Sequence, residues 1–265
     1  MGARQCRLAR NTADRDDVQR HNLPYRLGSV GVGDKHEGRS YLLKREIGAL
    51  AKVLPADDVI TGAESLIRAY GFGPIVPNTI LLGETGREDT YARFARLIQL
   101  VHRMGRNLIL VREGNDVSEE IREQVDIWWR GEKQNIGLML ALALLLKRNG
   151  IWSRARITVK TVAGSADEAI EAEQRLTALV EPHRVRVETE VIRSEPGRVF
   201  QTIRESSADA DLVLIGIRPP ADDIDTDPEY LDYYLHLLES TEGLPATAMV
   251  LASEGTDYLK ILGPA

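Results

Sequence analysis

Thr79-Ile-Leu-Leu-Gly83, an amphipathic stretch over residues 88–104, and Asn107-Leu-Ile-Leu-Val-Arg112 form a strand–helix–strand succession that decides the fold. Both short runs are continuously apolar, as strands are when a parallel sheet is covered on both faces. Between them Phe94, Leu97, Ile98 and Val101 recur at helical spacing, and Gly105 supplies a stop.

The same alternation continues downstream. Strands are expected at 125–129, 156–162, 184–192, 212–217 and 247–252, with helices at 136–147, 166–180, 197–206 and 228–239. Ser165 is placed to cap the helix over 166–180, whose inward side should carry Ile170, Leu176 and Leu179. Upstream, a strand is expected at 27–32, a helix at 40–54 and a short strand at 56–60. A further helix over 65–70 would be capped by Thr61 with Glu64 three residues on, and stopped by Gly71 and Gly73. Strands alternating with helices give an α/β fold with a mostly parallel sheet flanked by helices.

There is an internal echo. Asn78-Thr-Ile-Leu-Leu-Gly83 is similar to Ala210-Asp-Leu-Val-Leu-Ile-Gly216, and each is followed by a helix and then a strand ending near a Glu-Gly pair. This divides the chain into an irregular or disordered N-terminus over 1–21, a first α/β half over 22–135 and a second over 136–265. The length, 265 residues, accommodates two halves sharing one sheet.

Composition narrows the functions. The net charge of -6 disfavours a nucleic-acid partner held through phosphates. One cysteine, Cys6, excludes a disulfide framework and suits a reducing cytoplasm. No secretory leader is legible in the first twenty residues, and the apolar run over 136–146 is shorter than the roughly 20 residues a bilayer demands.

Catalytic patterns fail when their chemistry is checked. Gly33-Asp-Lys-His-Glu-Gly38-Arg39-Ser40 approaches a phosphate-cradling loop, but Arg39 stands where lysine belongs, and Asp34 and Glu37 would repel phosphate. Gly28, Gly31 and Gly33 lack dinucleotide-loop spacing. His21, His36, His102, His183 and His236 lie far apart. The acidic run Asp222, Asp223, Asp225 and Asp227 lacks the glycine and closing glutamate of a calcium loop. Glu84 and Glu113 follow strand ends, where an open α/β sheet holds ligands. A phosphate loop after the fourth strand of a half would fall in 107–114 or 248–255, and neither has the glycine spacing. No catalytic residue, metal ligand or cofactor-binding residue is assigned; no cofactor is expected, and a nucleotide has no motif in its support.

Several stretches together resemble the C-terminal cytosolic domain of the cation–chloride cotransporters. They are Gly71-Phe-Gly-Pro-Ile-Val-Pro-Asn-Thr-Ile-Leu-Leu-Gly83, Gly105-Arg-Asn-Leu-Ile-Leu-Val-Arg112, Val125-Asp-Ile-Trp-Trp129 before the glycine-led apolar helix, Asn149-Gly-Ile-Trp152, Ser206-Ser-Ala-Asp-Ala-Asp-Leu-Val-Leu-Ile215 and Gly243-Leu-Pro245. The likeness covers residues 55–262. It implies two halves similar to universal stress proteins, a tendency to form a homodimer, and a non-catalytic regulatory role beneath a transporter's membrane domain, which this sequence does not include. In some relatives the domain also holds a nucleotide. The alternative is a stand-alone, universal-stress-like nucleotide-binding protein. In the family the first half opens with a buried strand, and the residues before Leu27 offer none. Trp128, Trp129 and Trp152 are candidate anchors of an interface or of the core, because aromatic side chains concentrate at buried contacts.

Overall fold

The computed structural model describes residues 40, 43–44, 55–69, 77–114, 121–131, 133–148, 150–181, 186–221 and 227–263. The expectations for 1–21, 27–32, the loop over 33–39 and most of the helix over 40–54 lie outside those residues, as do Gly71, Gly73, Asp222, Asp223 and Asp225. The chain falls into two compact units, Met1–Pro77 and Asn78–Ala265.

In the first unit, helix α1 spans Val59–Ala69 and buries Ile60 and Ile67. The short strand expected at 56–60 is absent, because Asp58 starts the helix there. Its Oδ1 accepts from the backbone N–H of Ile60 at 2.9 Å and of Thr61 at 3.1 Å. One carboxylate thereby satisfies two of the donors a helix start leaves open, so Asp58 outcompetes Thr61 as the cap.

The second unit is built on a seven-stranded sheet. Its strands are β1 Thr79–Gly83, β2 Asn107–Arg112, β3 Gln124–Trp128, β4 Arg156–Ala163, β5 Glu188–Arg193, β6 Leu212–Gly216 and β7 Thr247–Leu251. Their order is β1-β2-β7-β6-β3-β4-β5. Every neighbouring pair is parallel except β2 and β7, which run antiparallel with Leu110 opposite Met249. The helices are α2 Tyr91–Arg103, α3 Lys133–Leu146, α4 Ala166–Val180, α5 Val199–Ser206, α6 Tyr230–Ser240 and α7 Tyr258–Leu262. The α/β, mostly parallel architecture is the one the apolar runs predict. The stretches related by the internal echo become β1 and β6. Each pairs in parallel with the strand that follows it, β2 or β7, and those two strands meet along the antiparallel seam.

Asn107 ties this seam together. Its Oδ1 accepts from the backbone N–H of Ser253 at 2.8 Å, while its Nδ2 donates to Thr79 Oγ1 at 3.1 Å and to the Tyr258 hydroxyl. Strands β1, β2 and β7 and helix α7 thus share one buried amide, whose donors and acceptor all have partners.

Alternation along the strands separates two layers. Val125, Ile127, Ile157, Val159 and Leu214 face the main core under α3 and α4. Trp128, Val213 and Ile215 face the other way, against Ile203 of α5 and Leu244. Ser165 caps α4 as expected, accepting from the Glu168 N–H at 3.2 Å, and Glu168 Oε2 accepts from the Gly164 N–H at 2.7 Å. The inward stripe of α4 is Ala172, Leu176 and Leu179, whereas Ile170 is exposed. Two residues before Ala172 it sits about 200° away around the helix. Strand β3, counted with the first half in the sequence division at 135 and 136, hydrogen-bonds to β4 and β6.

Candidate functional site

The connections place the ligand crevice that open α/β sheets form. From β3 the chain passes through α3 to β4 and through α4 to β5, then returns through α5 to β6 on the other side of β3. The order therefore reverses between β3 and β6, and the C-terminal ends of those strands flank the crevice. The stretches 107–114 and 248–255, in which the sequence would put a phosphate loop, are β2 and β7 with the residues that follow them, not the loops that leave β3 and β6.

Among the described residues, a side chain of the chain itself bridges this crevice. Asn135, in the first turn of α3, is buried. Its Oδ1 accepts from the Ala252 N–H at 2.8 Å, and its Nδ2 donates to the Ile217 carbonyl at 3.0 Å. Gly216 permits this approach, since a Cβ there would stand 3.0 Å from Asn135 Nδ2.

The loop leaving β6, Ile217-Arg218-Pro219-Pro220-Ala221, has no free backbone donor. The Ile217 N–H bonds the Val250 carbonyl at 2.9 Å, and that of Arg218 bonds the Tyr233 hydroxyl at 2.7 Å. Pro219 and Pro220 have none. Ala221 donates to Asp227 Oδ2 at 3.3 Å. Asp227 is buried, accepts also from the Glu229 N–H at 3.0 Å, and lies 3.3 Å from Arg218 Nη2. A phosphate cradle needs several convergent, unoccupied N–H groups and positive potential. This loop has committed its donors and holds a carboxylate instead.

Glu84 and Glu113 are not brought together as ligand groups. Glu84 accepts from Arg112 Nε at 2.7 Å, and Arg112 Nη1 donates to the Thr241 carbonyl at 2.7 Å, closing the end of β1 and β2 onto α6. Glu113 is exposed.

The remaining concentration of polar groups lies on the sheet face beneath α5. Asp126 and Lys160 form an ion pair at 2.8 Å with side chains 1% and 7% exposed. Lys160 Nζ also donates to the Ser206 carbonyl at 2.7 Å and to its hydroxyl at 2.9 Å, at the C-terminal end of α5. A cation there is favoured by the helix dipole and its open carbonyls. The Ser207 hydroxyl donates to Asp126 Oδ2 at 2.7 Å and accepts from Trp128 Nε1 at 3.0 Å, and Gln124 Nε2 donates to Asp126 Oδ1. Beyond α5 this face opens into a shallow pocket of about 300 Å³ lined by Gln124, Arg156, Thr158, Lys160, Glu188, Thr189 and Glu190. Lys160 Nζ is thus held by three acceptors, one on Asp126 and two on Ser206. The open part, of mixed charge, suits contact with another polar surface.

The three tryptophans are packed. Trp128 is buried between the Asp126 network and α5, Trp129 is buried in the main core, and Trp152 is half-buried against it. Sequence reasoning missed Lys160 and the role of Asp126. The signal available was a single acid inside the apolar run Val125-Asp-Ile-Trp-Trp129, where an uncompensated charge is untenable. Among the described residues, no group of three or more His, Cys, Asp or Glu could hold a metal, and no helix is long and apolar enough to cross a membrane.

No family model matches the chain. Among solved structures it is similar to the cytoplasmic domain of a prokaryotic cation chloride cotransporter. The identity is 21%, the alignment covers 86% of this chain and 85% of that one, and the TM-score is 0.58. It also matches a universal stress protein from Archaeoglobus fulgidus, at 14% identity, 85% and 82% coverage and TM-score 0.49. A putative universal stress protein from Pseudomonas aeruginosa matches at 13% identity, 87% and 82% coverage and TM-score 0.48. The first likeness establishes a shared fold.

Proposed function

We propose that this chain is a non-catalytic, cytosolic regulatory and dimerisation domain for a transporter of the cation–chloride cotransporter kind. The observation that carries this reading is the crevice between β3 and β6: among the described residues, Asn135 bridges across it and the backbone donors of 217–221 are committed. Such a molecule acts through its surfaces. The likeness of fold to the cytoplasmic domain of a prokaryotic cation chloride cotransporter supports the same reading. In this account one surface meets a second copy and another meets a transporter's membrane domain. The geometry of the pair then biases the transporter between its conformations, which requires contacts that differ between those states. The stand-alone nucleotide-binding alternative would have to draw its donors from residues other than 217–221, whose N–H groups are committed.

Size-exclusion chromatography with light scattering tests the dimerisation step. The mass should approach twice the 29.5 kDa of one chain as concentration rises. A mass fixed at one chain at the highest attainable concentration contradicts it.

A further inference from the structure

We infer that the turn joining α3 to β4 is a docking surface for an anionic lipid bilayer. From Lys133 to Ala166 the sequence contains no Asp or Glu, although the whole chain is acidic with a net charge of -6. The basic residues of this stretch crowd toward the turn: Lys147 and Arg148 follow α3 directly, Arg154 precedes β4 and Arg156 opens it.

Apolar side chains stand among these charges. Helix α3 is apolar around its whole circumference from Ile136 to Leu146, a pattern expected of a helix buried on every side. Yet Leu145 is 59% exposed, and Ile151 in the turn is 43% exposed. Ile121, 53% exposed, is brought alongside by the bond from the Arg122 N–H to the Ile151 carbonyl at 2.8 Å. Of the described acids nearby, Asp211 holds Arg122 at 3.2 Å and the backbone N–H of Glu123 at 2.6 Å, Glu188 lies 3.8 Å from Arg156 Nε, and Glu123 is exposed, so the net positive charge rests on Lys147, Arg148 and Arg154. Arg148 and Arg154 are exposed.

Exposed aliphatic side chains close in sequence to Lys and Arg match the boundary between anionic headgroups and acyl chains. A second copy fits less well. A two-fold contact would set Lys147, Arg148 and Arg154 against their own counterparts, and like charges in apposition oppose association. Nucleic acid fits less well too, because leucine and isoleucine offer no ring for a base to stack on. The inference stands independently of the proposed regulatory role, since it concerns the chain's own affinity for lipid.

The test is co-sedimentation of the full chain with extruded phosphatidylcholine vesicles, with and without about one-third phosphatidylserine. Binding is expected to the anionic vesicles and to weaken as salt rises. The triple variant Lys147→Gln/Arg148→Gln/Arg154→Gln should lower the partition coefficient on the order of 100-fold, from about a fivefold contribution per cation. Leu145→Ser/Ile151→Ser should lower it while leaving the salt dependence intact. No sedimentation with anionic vesicles at low salt would overturn the inference, as would unchanged binding by the triple variant. So would tighter binding to duplex DNA than to the vesicles, or a dimer that the Leu145→Ser/Ile151→Ser variant dissolves.

Discussion

Lys160→Met is expected to lower the unfolding free energy by about 3–5 kcal/mol, the usual cost of stripping one partner from a buried ion pair. The change leaves the Asp126 carboxylate in a sheet interior where its side chain is 1% exposed. Hydrogen bonds from Ser207 and Gln124 would remain, but no cation would face it. The Ser206 carbonyl at the end of α5 would also lose its donor. Asp126→Val leaves the buried Lys160 ammonium with only the half-exposed Glu190 carboxylate, 3.6 Å away, as counter-charge. The double variant Asp126→Val/Lys160→Met removes both charges together. It should therefore be less destabilised than the sum of the single variants by at least about 2 kcal/mol. Urea unfolding of the four proteins closes the cycle. Additive single effects would mean that the pair is not the unit holding α5 to the sheet.

A second large effect is expected in alkali. Tyr230 and Tyr234 on α6 are buried, and burial pushes both phenols well above their ordinary value. For Tyr230 the neighbouring Tyr233 adds to the rise, and for Tyr234 Glu84 does. Arg218 and Arg112 act in the opposite sense with smaller effect. The folded protein thus keeps both protons where the unfolded chain, titrating near the usual pKa of about 10, has lost them. This stabilisation is complete below pH of about 10 and is lost as pH rises beyond it, by about 1.4 kcal/mol per pH unit for each tyrosine. The two together take about 2.8 kcal/mol per pH unit from a domain whose total stability is typically about 5–15 kcal/mol. Chemical denaturation at successive pH values above 9 measures the slope. The two hydroxyls then separate by substitution. The Tyr230 hydroxyl donates to the Arg218 carbonyl at 3.0 Å, so Tyr230→Phe should cost about 1 kcal/mol near neutrality. The Tyr234 hydroxyl is buried with no hydrogen-bond partner among the described residues, so Tyr234→Phe should be neutral or stabilising by about 1 kcal/mol. Each variant should also flatten the alkaline slope. Stability that stays level from pH 9 to 11 would contradict the account of α6.

The strands were legible wherever burial on both faces made them continuously apolar. Thr79–Gly83 and Asn107–Arg112 have the bounds that their composition predicts, and so does the helix Ala166–Val180 behind its serine cap. Where local signals competed, the sequence misled. Thr61 with Glu64 looks like a capping box, yet Asp58 three residues earlier takes two backbone donors at once. The neighbours of β3 were not legible, because strand order depends on which crossover passes in front of which, and no residue in Gln124–Trp128 records that. The Asp126–Lys160 pair depends on that order as well. The two residues lie on adjacent strands, and only the β3–β4 register, with Asp126 opposite Thr158 and Trp128 opposite Lys160, sets them diagonal on one face. The crevice was half legible. Pro219-Pro220 announces a loop short of N–H groups, but its position beside β3 is a fact of topology.

The central claim, which the proposed role rests on, is that the groups described at the crevice between β3 and β6 are committed to one another and hold no nucleotide. Isothermal titration of the full chain with ATP and magnesium addresses it most directly. No binding heat is predicted at any ATP concentration up to about 1 mM, the affinity range below which most specific nucleotide sites fall. Saturable binding with a micromolar Kd that disappears on disturbing Asn135 or the Arg218–Ala221 loop would contradict it.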